Sequence, residues 1–193
     1  MPILNQIQVL PGLALPFFPM RPKTGPRISK ANVLDVIREM SATHNFQRKR
    51  NGDRAIRAIV DRKVYTCNRH GSWLKHPTID EKEYLVFPDL TCFDGEVFKK
   101  QFEPFETLAF GGQSFITQTS EDRQANAMNA TVEWLGREWM YTPTEEWLMK
   151  ADDNLPDWEG VVAKEKGCRY RIMGSASQEC SEWFRVKWVG TLG

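Results

Sequence analysis

Short runs of strand-forming residues recur along this chain with no helix placed regularly between them, and no internal repeat is visible. A doubly wound parallel sheet needs regular alternation of strand and helix. The order therefore favours an α+β fold with antiparallel sheets. Residues 54–60 read Arg-Ala-Ile-Arg-Ala-Ile-Val without a helical stripe, and residues 63–67 follow after Asp61-Arg62, as in a hairpin or meander. Further strands are predicted at 46–47, 84–87, 91–98, 139–141, 161–164, 170–173 and 183–189. Ser29 opens a helix with Val33, Leu34, Ile37 and Met40 on one face. Ser120 caps a second, with Ala125, Met128, Val132 and Leu135 at helical spacing and Gly136 closing it. Residues 144–150 form a third, short helix, and 152–156 a loop. Residues 1–28 are Pro-rich and are expected to be irregular, wrapping a surface or beginning with an edge strand.

At 193 residues the chain is one domain, 1–193, with a real core. Four cysteines without a CxxC pair exclude a disulfide scaffold and argue against zinc, so reduced thiols in the cytoplasm are expected. No stretch is apolar for the roughly 18 to 20 residues of a membrane span. Net charge is +1, but it hides a split. Residues 1–80 carry 14 Lys/Arg against 5 Asp/Glu, and residues 81–193 carry 12 against 20, giving +9 and −8. A basic half suits phosphate-rich ligands. The alternative is two faces that neutralise each other in space.

Several chemistries are excluded. There is no GxSxG elbow, no GxxxxGK[ST] phosphate loop and no HExxH helix. His44, His70 and His76 are not at ligand spacing, and Gly111-Gly112 reads as a turn. What remains is Lys49-Arg50-Asn51-Gly52-Asp53-Arg54. A lysine beside Arg48, Arg50 and Arg54 sits in a positive field, which with desolvation favours a neutral, nucleophilic amine. The same residues also suit an ordinary exposed hairpin turn. Four further segments change the picture: Asn68-Arg69-His70-Gly71, Asp94-Gly95-Glu96, Glu159-Gly160-Val161-Val162-Ala163-Lys164 and Trp183-Phe184-Arg185-Val186-Lys187. Their acids, lysines and arginines, brought together, suit a nucleotide and a divalent metal.

This ordered set resembles the covalent nucleotidyltransferases: ATP-dependent DNA ligases, RNA ligases and mRNA capping enzymes. The family's K-x-D-G-x-R is similar to Lys49–Arg54, and its S-R-x-G to the segment at 68–71. Its D-G-E and E-G-x-x-x-K are matched fully at 94–96 and 159–164. Its W-x-K-x-K is similar to 183–187, with Arg185 for the first lysine. The order agrees from about residue 30 to 189, and E-G-V-V-A-K looks most like the DNA ligases.

The resemblance implies two antiparallel sheets flanked by helices, in an ATP-grasp-like adenylation domain. It implies ATP and Mg²⁺ or Mn²⁺ as cofactors. Lys49 would attack the α-phosphate and hold AMP. Gln47 would face the adenine edge, Arg54 and Arg69 the ribose or phosphates, and Glu96 the ribose. Glu96 and Glu159 would hold the metal. Lys164, Arg185 and Lys187 would meet the nucleotide, the two lysines at the α-phosphate. Phe110 is the expected adenine-stacking aromatic, with plain core as its alternative. Nicked duplex DNA, or RNA, would be the partner of a monomer. Rival expectations are an RNA ligase and a catalytically weak nucleic-acid-binding accessory protein. Asn51 departs from the family's aspartate and Asn68 from its serine. The chain ends six residues after Lys187, so the family's OB domain is expected to be absent, or replaced by a partner protein.

Overall fold

The computed structural model describes residues 6–137 and 158–188. The elements expected at 139–141, 144–150 and 152–156 lie outside them. The described residues form strands β1 (Ile7–Leu10), β2 (Leu13–Leu15), β3 (Arg21–Ile28), β4 (His44–Arg50), β5 (Asp53–Val60), β6 (Lys63–Asn68), β7 (Thr91–Phe98), β8 (Gln101–Phe110), β9 (Gln113–Ser114), β10 (Trp158–Glu165) and β11 (Glu179–Trp188). Helices α1 (Lys30–Met40) and α2 (Ser120–Asn129), a 3₁₀ turn (Glu81–Val86) and a π-helical turn (Ala130–Trp134) complete the set. The fold is α+β, as expected, and mostly sheet.

Among the described residues three sheets form rather than two. β1 and β2 pair as a ribbon, β3-β11-β10-β4 make a four-stranded sheet, and β6-β5-β7-β8-β9 make a five-stranded one. One pairing departs from the antiparallel expectation: β3 runs parallel to β11. In its described residues the Pro-rich segment is only partly irregular: it holds β1, β2 and the edge strand β3. Pro22 and Pro26 are tolerated because β3 is an edge strand, where a missing N–H disrupts no ladder.

The local signals explain most elements. Ser29 caps α1 through the amide of Asn32, and Ile37 and Met40 pack with Val33 against Phe46, Trp158 and Val186 on the four-stranded sheet. Asp61 and Arg62 both take positive φ, the backbone of a tight two-residue hairpin turn. Thr119, one residue before the expected cap, accepts the Asp122 amide at the start of α2. Met128 and Val132 are exposed, so α2 does not bury the predicted apolar stripe. It buries Arg123 and Ala127 instead, because Glu106 supplies a partner for the arginine. Residues 81–86 form a 3₁₀ turn, not a strand, burying Tyr84 against Phe87, Phe93 and Phe102. Residues 170–173 give only a single bridge from Met173 to Phe18.

Strand β5 is buried along most of its length. Ile56 and Ala58 face one apolar cluster with Leu108 and Trp183, while Ala55 and Ile59 face another with Phe87 and Phe93. Burial on both faces is why this strand lacks polar alternation. All four cysteines are buried and free. No described helix is long and apolar enough to cross a membrane.

Candidate active site

The four- and five-stranded sheets meet where β4 passes into β5 through Asn51-Gly52, and a cleft opens there. About 880 Å³ of empty space, including open solvent, lies between its walls. β4 contributes Gln47 and Lys49, β5 Arg54, β7 Glu96, β10 Val162 and Lys164, and β11 Trp183 and Arg185. Arg69, just beyond β6, also lines it.

Lys49 is not in the turn, as the sequence suggests, but in the last residues of β4. It pairs with Gly160, which pairs on its other side with Lys187. The ladder is irregular between Trp158 and Gly160, placing Glu159 at a bulge. Bulges re-aim side chains, and here the Glu159 carboxylate accepts hydrogen bonds from both Lys49 and Lys187, the latter at 2.6 Å. Burial alone would raise the Glu159 pKa. The two ammonium groups outweigh it and hold the carboxyl below its usual range. Gly160 is required by the crossing: a Cβ there would lie 2.0 Å from the Val186 carbonyl oxygen.

The positive field around Lys49 is answered by carboxylates. Arg50 makes a bidentate pair with Glu103 at 2.9 and 3.1 Å, with its guanidinium 3.9 Å from the Trp158 ring. Arg54 is held by Asp94, which also accepts from the Tyr170 hydroxyl at 2.6 Å. Within the Asp94-Gly95-Glu96 segment the two acids therefore divide. Asp94 is fully buried and anchors Arg54, while Glu96 lines the cleft and accepts the Gly52 amide at 3.2 Å. Burial pushes the Glu96 carboxyl up to about 7, against the pull of Lys49 and Arg54.

Lys164 is buried at the inner end of the cleft. Its ammonium meets Glu106 at 2.7 Å, and Glu106 also accepts from Arg123 at 2.5 Å. The ring of Trp183 lies 4.1 Å from the Lys164 nitrogen and that of Phe105 4.5 Å. Desolvation lowers the Lys164 pKa and Glu106 opposes it. Gln47 is buried beside them, its amide donating to the Phe105 carbonyl at 3.1 Å. Asn68, in the serine's place, accepts the amides of His70 and Ser72 and so shapes the turn that carries Arg69. Asn51 is exposed.

The structure thus brings together Gln47, Lys49, Arg54, Arg69, Glu96, Lys164 and Arg185 around the cleft, with Glu159 and Lys187 bonded at its Lys49 end. It does not bring Phe110. That ring packs on Phe87 and Trp134, on the far face of the five-stranded sheet. Phe105, on the same strand, lines the cleft instead. Sequence reasoning also missed Pro19, Arg21 and Pro22, with which the N-terminal segment forms one wall. It missed Glu106 and Arg123 as well, since buried ion pairs between distant segments leave no local pattern. Among the described residues no group of three His, Cys, Asp or Glu side chains is placed to hold a metal. A divalent cation here would need phosphate and water oxygens besides Glu96 and Glu159, which is how magnesium is commonly bound.

No family model matches this sequence, and no curated protein matches it. Solved structures do match in fold. The mycobacterial DNA ligase D complexed with ATP and MES superposes with a TM-score of 0.60 at 17% identity, over 89% of this chain and 60% of that one. The ligase domain of M. tuberculosis LigD gives 0.65 at 17% identity, over 89% and 59%. The chain shares the fold of these ligase structures. It spans about 60% of the length of those two structures.

Proposed function

We propose that this chain is an ATP-dependent adenylyltransferase of the DNA ligase type. The observation that carries the reading is the row Lys49–Gly160–Lys187, with Glu159 bonded to both lysines at the mouth of the cleft. In the first step the Lys49 amine, having lost a proton, attacks the α-phosphorus of ATP. The P–N bond forms, the bond to the β-phosphate oxygen breaks, and pyrophosphate leaves. AMP then passes to the 5′-phosphate of a nicked duplex, and attack by the 3′-hydroxyl seals the nick and releases AMP.

Lys187 and Arg185 supply positive charge as negative charge builds on the transferring phosphoryl group, the electrostatic contribution that dominates such transfers. Gln47, Phe105 and Val162 define the inner end of the cleft, which takes the base; Lys164, expected at the α-phosphate, is held beside them by Glu106. Glu96 and Glu159 are the carboxylates that would hold a magnesium or manganese ion shared with the phosphates. Its chemistry when bound is to neutralise the triphosphate. The four buried thiols suit a reducing, intracellular setting.

Mass spectrometry of the protein incubated with ATP and Mg²⁺ tests the reading. The expected result is an AMP adduct on Lys49, absent in Lys49→Ala and absent in EDTA. An adduct of undiminished yield in Lys49→Ala refutes the assignment. Sealing assays on nicked DNA and nicked RNA decide the substrate.

A further inference from the structure

Away from the cleft, the outer edge of β6 is only half covered. β6 is an edge strand of the five-stranded sheet and pairs on its inner side with β5. On its outer side the chain folds back. The Asn68 amide donates to the Ser72 carbonyl at 2.8 Å and the Leu74 amide to the Thr66 carbonyl at 3.0 Å, while Trp73 forms an antiparallel bridge with Cys67. Among the described residues this pairing stops at Leu74. Outward-facing backbone groups recur at every second residue of a strand, so those of Val64 come next in the row after Asn68 and Thr66. An open edge of this kind is a template for another strand.

A groove follows that open stretch, and Val64, Tyr65 and Thr66 all line it. Successive strand residues point to opposite faces of a sheet, so the groove lies on the edge itself and not over either face. Its two sides differ in chemistry. On the Tyr65 side stand Ile7 and Trp73, packed against the cluster of Ile56 and Ala58, with the Tyr65 and Trp73 ring centroids 6.1 Å apart and tilted by 54°. On the Val64 side, the 3₁₀ turn at 81–86 packs Tyr84 into the same cluster as Val64 and brings Glu81 to the groove. Asp80, the residue before it, is fixed by Arg57 and the Phe102 amide, which anchors the start of that turn. Among the described residues that line the groove there is no lysine or arginine.

We propose that this groove takes an extended peptide of a partner protein, which adds a strand beside Val64 and alternates apolar with basic residues. An added strand sends alternate side chains to opposite faces. Its apolar residues meet Tyr65 and Trp73, and its lysines or arginines meet Glu81. Charge decides against the other occupants. A nucleic-acid strand would bring phosphates to Glu81, with no cation in the lining to receive them. An antiparallel second copy of β6 would set Val64 and Thr66 beside Glu81, again without a cation. The surface does not rest on the adenylation reading, since it shares no lining residue with the cleft.

Heteronuclear NMR titrations of the native protein test this. The probes are short synthetic peptides: one alternating valine and lysine, one alternating valine and glutamate, and two versions of the lysine peptide, each N-methylated on one alternate set of amides. The lysine peptide is expected to shift the Val64, Thr66 and Trp73 signals and to bind about tenfold tighter than the glutamate peptide. One of the two N-methylated versions should lose binding, because it lacks the donors that a strand offers to an edge. Glu81→Gln should weaken the lysine peptide about fivefold, the upper range for a partly exposed ion pair. Glu81→Lys should reverse the preference towards the glutamate peptide. AMP adduct formation should be unchanged in both variants. Absence of binding, equal binding of the lysine and glutamate peptides, or full binding of both N-methylated versions overturns the proposal. So does a single-stranded oligonucleotide that shifts the same groove signals and displaces the peptide. A doubled mass in light scattering before any peptide is added, with the groove signals shifting on dilution, overturns it in favour of a second copy.

Discussion

Asp80 is buried, and donors converge on it from three parts of the chain: Arg57 at 3.4 Å, Arg137 at 2.9 Å and the Phe102 amide at 3.0 Å. Arg57 is itself fully buried, lying between the rings of Tyr84 and Phe102 at 4.3 and 4.5 Å. Burial works to raise the Asp80 pKa, but the hydrogen bond from Thr78 and the two arginines outweigh it and hold the carboxyl below its usual range. A carboxylate depressed in the folded state contributes stability above its unfolded value and loses it as pH falls through the folded one. Acid unfolding is therefore expected to draw on Asp80 below about pH 4, and Asp80→Asn should flatten that limb in a pH series of urea titrations. At neutral pH the same variant strands a buried guanidinium, a loss of about 3 to 5 kcal/mol. An unchanged unfolding midpoint would contradict this account.

At the scale of elements, β8 decides what the sequence could and could not reveal. Its residues Gln-Phe-Glu-Pro-Phe-Glu-Thr-Leu-Ala-Phe suggest strict alternation, which would put Phe102, Glu106 and Phe110 on one face. Two ladder irregularities break it: Asp94 pairs with Glu106 but Gly95 with Pro104, and Cys92 pairs with Ala109 but Phe93 with Thr107. Glu106 is thereby turned to Lys164 and Arg123, and Phe105 to the cleft, while Phe110 stays in the far core. The charged motif residues were legible because their types and order carry the chemistry. The aromatic was not, because a bulge changes face without changing composition. β8 itself was hidden because Lys99-Lys100, both at positive φ, is not a residue pair that announces a hairpin turn. Phe105→Ala is expected to weaken ATP binding about tenfold or more with a modest change in stability. Phe110→Ala is expected to cost about 3 kcal/mol of stability with ATP affinity kept. Titration calorimetry and chemical denaturation of both variants check this, and the reverse pattern would restore Phe110 as the stacking residue. Gly160→Ala should remove adduct formation, since no rotamer relieves a contact between Cβ and a backbone oxygen.

Over the described residues, cations of the +9 half of the sequence meet carboxylates of the −8 half at the cleft. Lys49–Glu159, Arg50–Glu103 and Arg54–Asp94 each join a cation from the first half to a carboxylate from the second, and they do so at the cleft. That pairing shapes the Lys49 end of the cleft and removes those groups from any broad phosphate-binding surface. The sector at Arg21, Arg69 and Arg185 keeps more of its charge. A duplex docked across the cleft mouth would therefore touch a small number of cations, neutralising about three to five phosphates. Each neutralised phosphate releases counterions, so log K should fall against log salt with a slope of about −3 to −4. Anisotropy titrations of labelled nicked duplex from low to moderate salt measure that slope. Arg69→Ala, which takes one cation from the cleft wall, should make the slope shallower by about one unit if that guanidinium neutralises one phosphate. A flat salt response, or no binding at low salt, would mean that these residues grip the nucleotide alone, and the function would then reduce to self-adenylation without a held duplex.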